Sequence, residues 1–142
     1  MIASHPHAVS IEGTALRKSR VAGVVCTIVA TLFLSFDTIL KVLRLDPAVD
    51  GTTSLGYPGE SVVWIGAIEL VCLVFYLVPR TAVLGALLMT GYLGGAVATH
   101  VRISSPLFTH TLFPVYVALL LWGGLYLREP RLRALAPLRS ER

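Results

Sequence analysis

The sequence predicts an all-α fold, a bundle of four transmembrane helices with both chain ends on the cytoplasmic side, and three observations predict it. The 142 residues are 55% hydrophobic and only 14% charged, with a mean hydropathy of +0.76; soluble domains carry about 25% charged residues. The apolar residues fall into four runs, and at roughly 1.5 Å per residue a helical run of ~18–23 residues reaches ~27–35 Å, enough for a bilayer core. The basic residues gather at the ends of these runs, and mostly on one side.

Residues 1–20 are polar and mixed, with His5, Pro6, His7 and Gly13, and end in Arg17, Lys18 and Arg20. They are expected to be a mobile cytoplasmic tail. The first span is placed at 21–43. A basic stretch before an apolar one also opens a signal peptide, but this run is longer than a typical h-region and no small-residue cleavage site closes it. Val25 before Cys26 argues against a lipoprotein site. The second span, about 61–78, opens after Tyr57-Pro58-Gly59-Glu60 and stops at Pro79-Arg80, because a proline disfavours helix at the residue before it. The third is 82–101. The fourth runs from about 107 to 127 and ends at Arg128-Glu129-Pro130, which leaves 129–142 as a basic cytoplasmic tail. Trp64, Tyr76 and Tyr126 suit the membrane interface.

Orientation follows from the basic residues. Nine of them (Arg17, Lys18, Arg20, Arg80, Arg128, Arg131, Arg133, Arg139 and Arg142) fall on one side, against Arg44 and Arg102 on the other. The positive-inside rule then puts both termini in the cytoplasm, in a multi-pass protein of the bacterial inner membrane. The net charge of +4 reflects these flanks, so no nucleic-acid partner is expected. The 44–60 loop faces outward, where it could form at most a lid.

Ionisable residues inside lipid are costly and each needs a reason. Asp37 and Lys41 in the first span are spaced i, i+4 and share a helix face. Glu69 lies near the middle of the second span and is expected to be protonated, or paired with Lys41, Arg102 or a histidine. The third span carries Thr90 and Tyr92 and ends in Thr99-His100-Val101-Arg102; the fourth begins with Thr109-His110-Thr111. With the orientation above, Asp37, Lys41, Glu69, Tyr92, His100 and Arg102 share the outer half of the bundle, the candidate binding cluster. The blander reading is that Asp37 and Lys41 neutralise each other, or that Lys41 snorkels to the interface. No close ligand spacing supports a metal site. Cys26 and Cys72 lie in apolar runs; a bridge between them is conceivable, and packing as small apolar residues is the commoner role. Gly91 and Gly95, in a third span that also holds Gly85, Gly94 and Ala98, allow close helix approach within the bundle or, alternatively, a homodimer. Gly123-Gly124 permits the same in the fourth.

The stretch Pro79-Arg80-Thr81-Ala82-Val83-Leu84-Gly85-Ala86, with Thr90-Gly91-Tyr92-Leu93-Gly94-Gly95-Ala96-Val97-Ala98-Thr99-His100-Val101-Arg102, resembles the DoxX-like family of small bacterial membrane proteins. Phe113-Pro114, Leu121-Trp122-Gly123-Gly124 and Arg128-Glu129-Pro130-Arg131-Leu132-Arg133 fit it too, as do Lys41 and the Tyr57-Pro58 loop. The resemblance spans roughly residues 22–137 and implies a four-helix bundle. The broader group includes proteins similar to a subunit of thiosulfate:quinone oxidoreductase and others linked to oxidative-stress complexes, so quinone is the ligand it suggests. It carries over no catalytic residue, and the lack of a paired-cysteine motif gives thiol chemistry no support.

Three functions compete. One is a redox-associated accessory or quinone-pocket subunit, with the polar cluster facing the head group. Another is a non-enzymatic structural or assembly partner in a membrane complex, the cluster serving only helix specificity. The third is a small proton-coupled carrier in which Glu69 titrates, weakened by the lack of a broken-helix pair or clear internal repeat. With no extramembrane domain to house a site, a stand-alone enzyme is not expected.

Overall fold

The structure, a computed structural model, describes residues 6–135, and the side chains of residues 17–134. Among them there is no strand. The elements in order are α1 (Pro6–Val42), α2 (Asp46–Ser54), α3 (Ser61–Leu77), α4 (Ala82–Arg102), a single π-helical turn (Leu107–Thr111), α5 (Phe113–Arg128) and α6 (Pro130–Leu135). Three segments are long and apolar enough to cross a membrane: Arg17–Val42, Ala82–Arg102, and Leu107–Arg128 taken through the π turn. The fourth apolar helix, α3, is shorter, at 17 residues. It stops at Leu77 because Val78, which precedes Pro79, is extended (φ −77°, ψ 118°), as a proline demands of its predecessor.

Several boundaries depart from expectation. The first helix begins at Pro6, well ahead of residue 21, so the segment expected as a mobile tail is helical from that point. Residues 1–5 and 136–142 of the two expected tails lie outside the described residues. The 44–60 stretch is no plain loop, since α2 forms within it, with Pro47 in its first turn, where a missing N–H costs nothing. Helices α1 and α4 end in matching left-handed caps. Arg44 and Ser104 both take φ 54°. The next residues fold back, Leu45 N–H donating to the Leu40 carbonyl and Ser105 N–H to that of His100, each at 3.0 Å. This is the bonding of a Schellman cap without its usual glycine, and no glycine in the sequence announced it.

The long helices pack in a cycle, α1 against α3 and α5, and α4 against α3 and α5. Where they touch most closely the contact is made by glycine. A Cβ on Gly85 would lie 2.1 Å from the Tyr76 nitrogen, joining α4 to α3. On Gly66 it would lie 2.7 Å from the Lys41 Cβ, joining α3 to α1. Gly23 and Gly124 face each other across the α1–α5 crossing, with the Thr27 hydroxyl 2.5 Å from a Cβ placed on Gly124. The close contacts expected at Gly91 and Gly95 are not made within the chain: a Cβ there, or on Gly94 or Gly123, meets nothing within 4 Å. Gly91 and Gly95 lie beside a cavity instead.

One half of the helix layer is solid. Leu34, Leu73, Tyr76, Met89, Leu121 and Leu125 are buried together there. Tyr76 is fully buried rather than interfacial, because its hydroxyl has a partner inside, the Leu121 carbonyl at 3.1 Å. Trp64, at 74% exposed, does present itself to the surroundings. Cys26 and Cys72 are both free.

These contacts separate two kinds of glycine. Gly85→Ala should destabilise the protein by about 3 kcal/mol, the upper end of ordinary overpacking, because backbone rather than a flexible side chain stands in the way. Gly91→Ala should leave stability unchanged or raise it by a few tenths of a kcal/mol, as a helix glycine with open space around it does. Thermal unfolding in detergent micelles distinguishes the two.

Candidate binding site

The other half of the helix layer holds a cavity of about 530 Å³, within the range of small-molecule sites. Its polar wall is built from the centres of two helices. Glu69 is the middle residue of α3 and Tyr92 the middle residue of α4, and antiparallel packing sets them opposite one another. Lys41 reaches both from the last turn of α1. Gly66 makes this possible: one turn before Glu69, it lets the α1 backbone approach α3 at Lys41 itself.

The Lys41 ammonium has three N–H donors, and all three are used. It donates to Asp37 Oδ2 at 2.5 Å, to Glu69 Oε2 at 2.9 Å and to the Tyr92 hydroxyl at 2.9 Å. Tyr92 in turn donates to the same Glu69 oxygen at 2.9 Å, and the ammonium stands 5.5 Å from the Tyr92 ring centroid. Lys41, Glu69 and Tyr92 therefore close a triangle, with Asp37 as a second counter-charge on the i, i+4 face of α1.

Glu69 is 0% exposed. Its Oε2 accepts two hydrogen bonds, while its Oε1 is buried with no partner among the described residues. The other unpartnered buried oxygens are the Thr31 and Thr38 hydroxyls, which can rotate toward carbonyls of their own helix. A carboxylate oxygen has no such recourse, and a buried acceptor left without a donor costs about 1–3 kcal/mol. Glu69 lines the cavity, so an incoming donor is what could satisfy Oε1.

The remaining walls are of different kinds. Phe33 of α1 and Phe113 of α5 meet edge to face, ring centroids 5.2 Å apart. Across the mouth, α2 and its following turn contribute Thr52, Leu55 and Tyr57. Two bonds tie this cover down: the Tyr57 hydroxyl to Thr99 Oγ1 at 2.8 Å, and Arg102 Nη2 to the Leu55 carbonyl at 2.7 Å. Gly56 between them takes a left-handed φ of 84°, and a Cβ there would come within 3.2 Å of the Arg102 guanidinium. The guanidinium also stands 5.8 Å from the Tyr57 ring centroid.

Of the six residues the sequence singled out, Asp37, Lys41, Glu69 and Tyr92 form one hydrogen-bonded cluster on the cavity wall. His100 lines the same cavity but bonds elsewhere, its Nδ1 lying 3.0 Å from Ser105 Oγ, with the His110 ring 5.9 Å away. Arg102 is not in the wall. It sits at the end of α4, where the cap turns its side chain toward the Leu55 carbonyl, so it clamps the cover and does not pair with Glu69. No group of three or more metal-ligating side chains occurs among the described residues. Sequence reading missed Tyr57, Thr99 and Gly66. Tyr57 stood in view as part of a turn, but nothing in the spacing connected it with Thr99, 42 positions away.

Removing one partner of a buried ion pair costs about 3–5 kcal/mol, since the other is left uncompensated. Lys41→Met should destabilise the protein by that amount, because it orphans Glu69. Lys41→Met with Glu69→Leu should cost clearly less than the sum of the two single changes. Chemical unfolding of the four proteins in micelles gives the coupling directly.

The sequence model of the DoxX-like family matches residues 25–124, a stretch that holds Asp37, Lys41, Glu69, Tyr92 and the cover. No curated protein and no solved structure matches the chain. With most of its length and every residue of the polar cluster inside the matched region, the chain belongs to the DoxX-like family, and it is a multi-pass membrane protein.

Proposed function

We propose that this protein is a four-helix bundle of the bacterial inner membrane, both termini cytoplasmic, that binds a quinol-type molecule in the outer half of its helix layer. It serves as an accessory subunit of a membrane redox system. The orientation rests on the distribution of arginine and lysine, and α3, though short, falls within the ~17–25 residues that can span. The observation that carries the binding reading is Glu69, fully buried at the centre of α3 among the residues that line a cavity of about 530 Å³, with one oxygen bound twice and the other unpartnered.

The hydrogen-bond inventory selects the form of the ligand. Lys41 has no donor left, and the Tyr92 hydroxyl spends its proton on Glu69. What the polar wall offers is an acceptor. A hydroxyl-bearing ring satisfies Oε1, whereas a quinone carbonyl meets acceptor with acceptor. The apolar wall, including the Phe33–Phe113 pair, suits the ring and the start of its tail.

The two other readings receive less support. A purely structural role favours a polar network satisfied within itself, because a half-satisfied one is a liability. A carrier needs a path to the opposite side, and the half beyond Glu69 is filled by Leu34, Tyr76, Met89 and Leu121.

Equilibrium binding to protein in lipid nanodiscs tests the proposal, using a benzoquinol with a decyl tail and the matching benzoquinone. A hydrogen bond to a charged group is worth about 1.5–3 kcal/mol, so the quinol should bind at least roughly tenfold tighter. In Glu69→Gln, Lys41 and Tyr92 hold the amide oxygen and the amide nitrogen takes the place of Oε1, so the preference should shrink or reverse toward the quinone. Equal binding of the two forms by the wild type, or no binding of either, rejects the reading.

A further inference from the structure

Side chains line most of the cavity wall, and one seam is bare of them. On the α1–α5 side the lining includes the edge-to-face Phe33–Phe113 pair. The outer mouth lies under α2, held by Arg102 and by the Tyr57–Thr99 bond. Leu34, Leu93 and Val117 line the cavity on the side of the buried core. On the α3–α4 side the lining includes Ile65 and Ile68 of α3 and Gly91 and Gly95 of α4. Ile68 is 56% exposed; both glycines are exposed, and a Cβ on either would meet nothing within 4 Å. These residues belong at once to the cavity wall and to the outer surface.

Helical phase explains the seam. On α3, Ile65 and Ile68 lie to one side of Glu69, opposite to Gly66, which packs on α1. On α4, Gly91 and Gly95 lie to one side of Tyr92, opposite to Thr90, whose hydroxyl accepts from the Trp122 indole of α5 at 2.8 Å. Beside Tyr92, the flank of α4 that holds Gly91 and Gly95 therefore carries no side chain. Lower down, Gly85 against Tyr76 brings the same two helices into contact. Pinned at the bottom and bare above, the pair leaves a seam beside Tyr92, with Glu69 buried behind it.

The geometry points to a lateral portal: the cleft between Ile65/Ile68 and Gly91/Gly95 admits the ligand from the hydrocarbon layer, not from the aqueous phase through the α2 cover. Two independent features converge on it. One is the glycine-bare seam. The other is the unpartnered oxygen of fully buried Glu69 at its inner end. The ligand class that fits is a lipid-dissolved molecule with one hydrogen-bond-donating head, entering head first and leaving its tail in the seam. This rests on the binding reading above and adds the phase from which the ligand comes.

The test needs no knowledge of the ligand. An alkyl diazirine dissolved in the bilayer is photolysed beside the reconstituted full-length protein, and labels at Glu69 and Tyr92 are counted by mass spectrometry, with exposed Trp64 as the reference. The wild type should be labelled at both positions. In Gly91→Leu/Gly95→Leu those labels should fall at least tenfold while Trp64 is unchanged. In Gly91→Ala/Gly95→Ala, whose methyl groups leave the seam open, they should stay within twofold of wild type. If the leucine pair fails to fold, Gly95→Val alone serves as the blocking variant. Undiminished labelling in the blocked variant overturns the portal, and so does an unlabelled wild-type cavity. Labelling that is suppressed at high protein-to-lipid ratio and returns on dilution assigns the seam to a second copy of the chain and also overturns it. Protection of Glu69 by decyl benzoquinol reports on the ligand alone: labels lost in the blocked variant but not protected by quinol retain the portal and reject the quinol.

Discussion

Placing a carboxylate at the centre of an apolar helix obliges the rest of the fold to supply a cation, and Lys41 is the point at which that obligation is met. Its ammonium joins three helices through Asp37, Glu69 and Tyr92. The position of α1 against α3 is fixed with it, because Lys41 reaches Glu69 only if the backbones come close, and Gly66 is the residue that permits this. A larger side chain at Gly66 would push α1 away and strand the carboxylate. The ion pair and the glycine are two halves of one constraint.

The same constraint explains the division of the helix layer into a solid half and a hollow one. Where α3 and α4 meet at Gly85 and Tyr76, backbone packs on backbone and the interior fills with leucine, methionine and tyrosine. Above that contact the two helices meet through the Tyr92–Glu69 bond, and the cavity lies beside it, lined from α1, α3, α4 and α5. The cover over its mouth uses main-chain and hydroxyl partners instead of bulk, so it is defined by hydrogen bonds at Leu55 and Thr99.

Much of this was legible in the residues. Hydropathy runs located the long helices because lipid demands about 20 apolar residues of a span. The i, i+4 spacing announced the Asp37–Lys41 pair, and the cost of a mid-span charge singled out Glu69. Convergence was not legible, since it depends on helix rotation, and a single helix pattern fixes no rotation relative to its neighbours. Gly66 and Gly91 illustrate the difficulty: both are glycines in apolar runs, yet one touches a neighbouring backbone and the other lines open space. Arg102 and Tyr76 misled for a related reason. Each has a long side chain whose polar end is satisfied by a carbonyl from a distant segment, Leu55 for one and Leu121 for the other, and no local pattern encodes such partners. The helix within 44–60 hid because its polar composition reads as loop.

In the proposed complex the free oxygen of Glu69 receives the ligand. Infrared difference spectroscopy on the protein in bilayers, with and without decyl benzoquinol, reports on that atom most directly. Adding the quinol should shift a carboxyl band, a shift absent in Glu69→Gln and absent with the matching benzoquinone. A difference spectrum without carboxyl bands, or the same bands in Glu69→Gln, would contradict it.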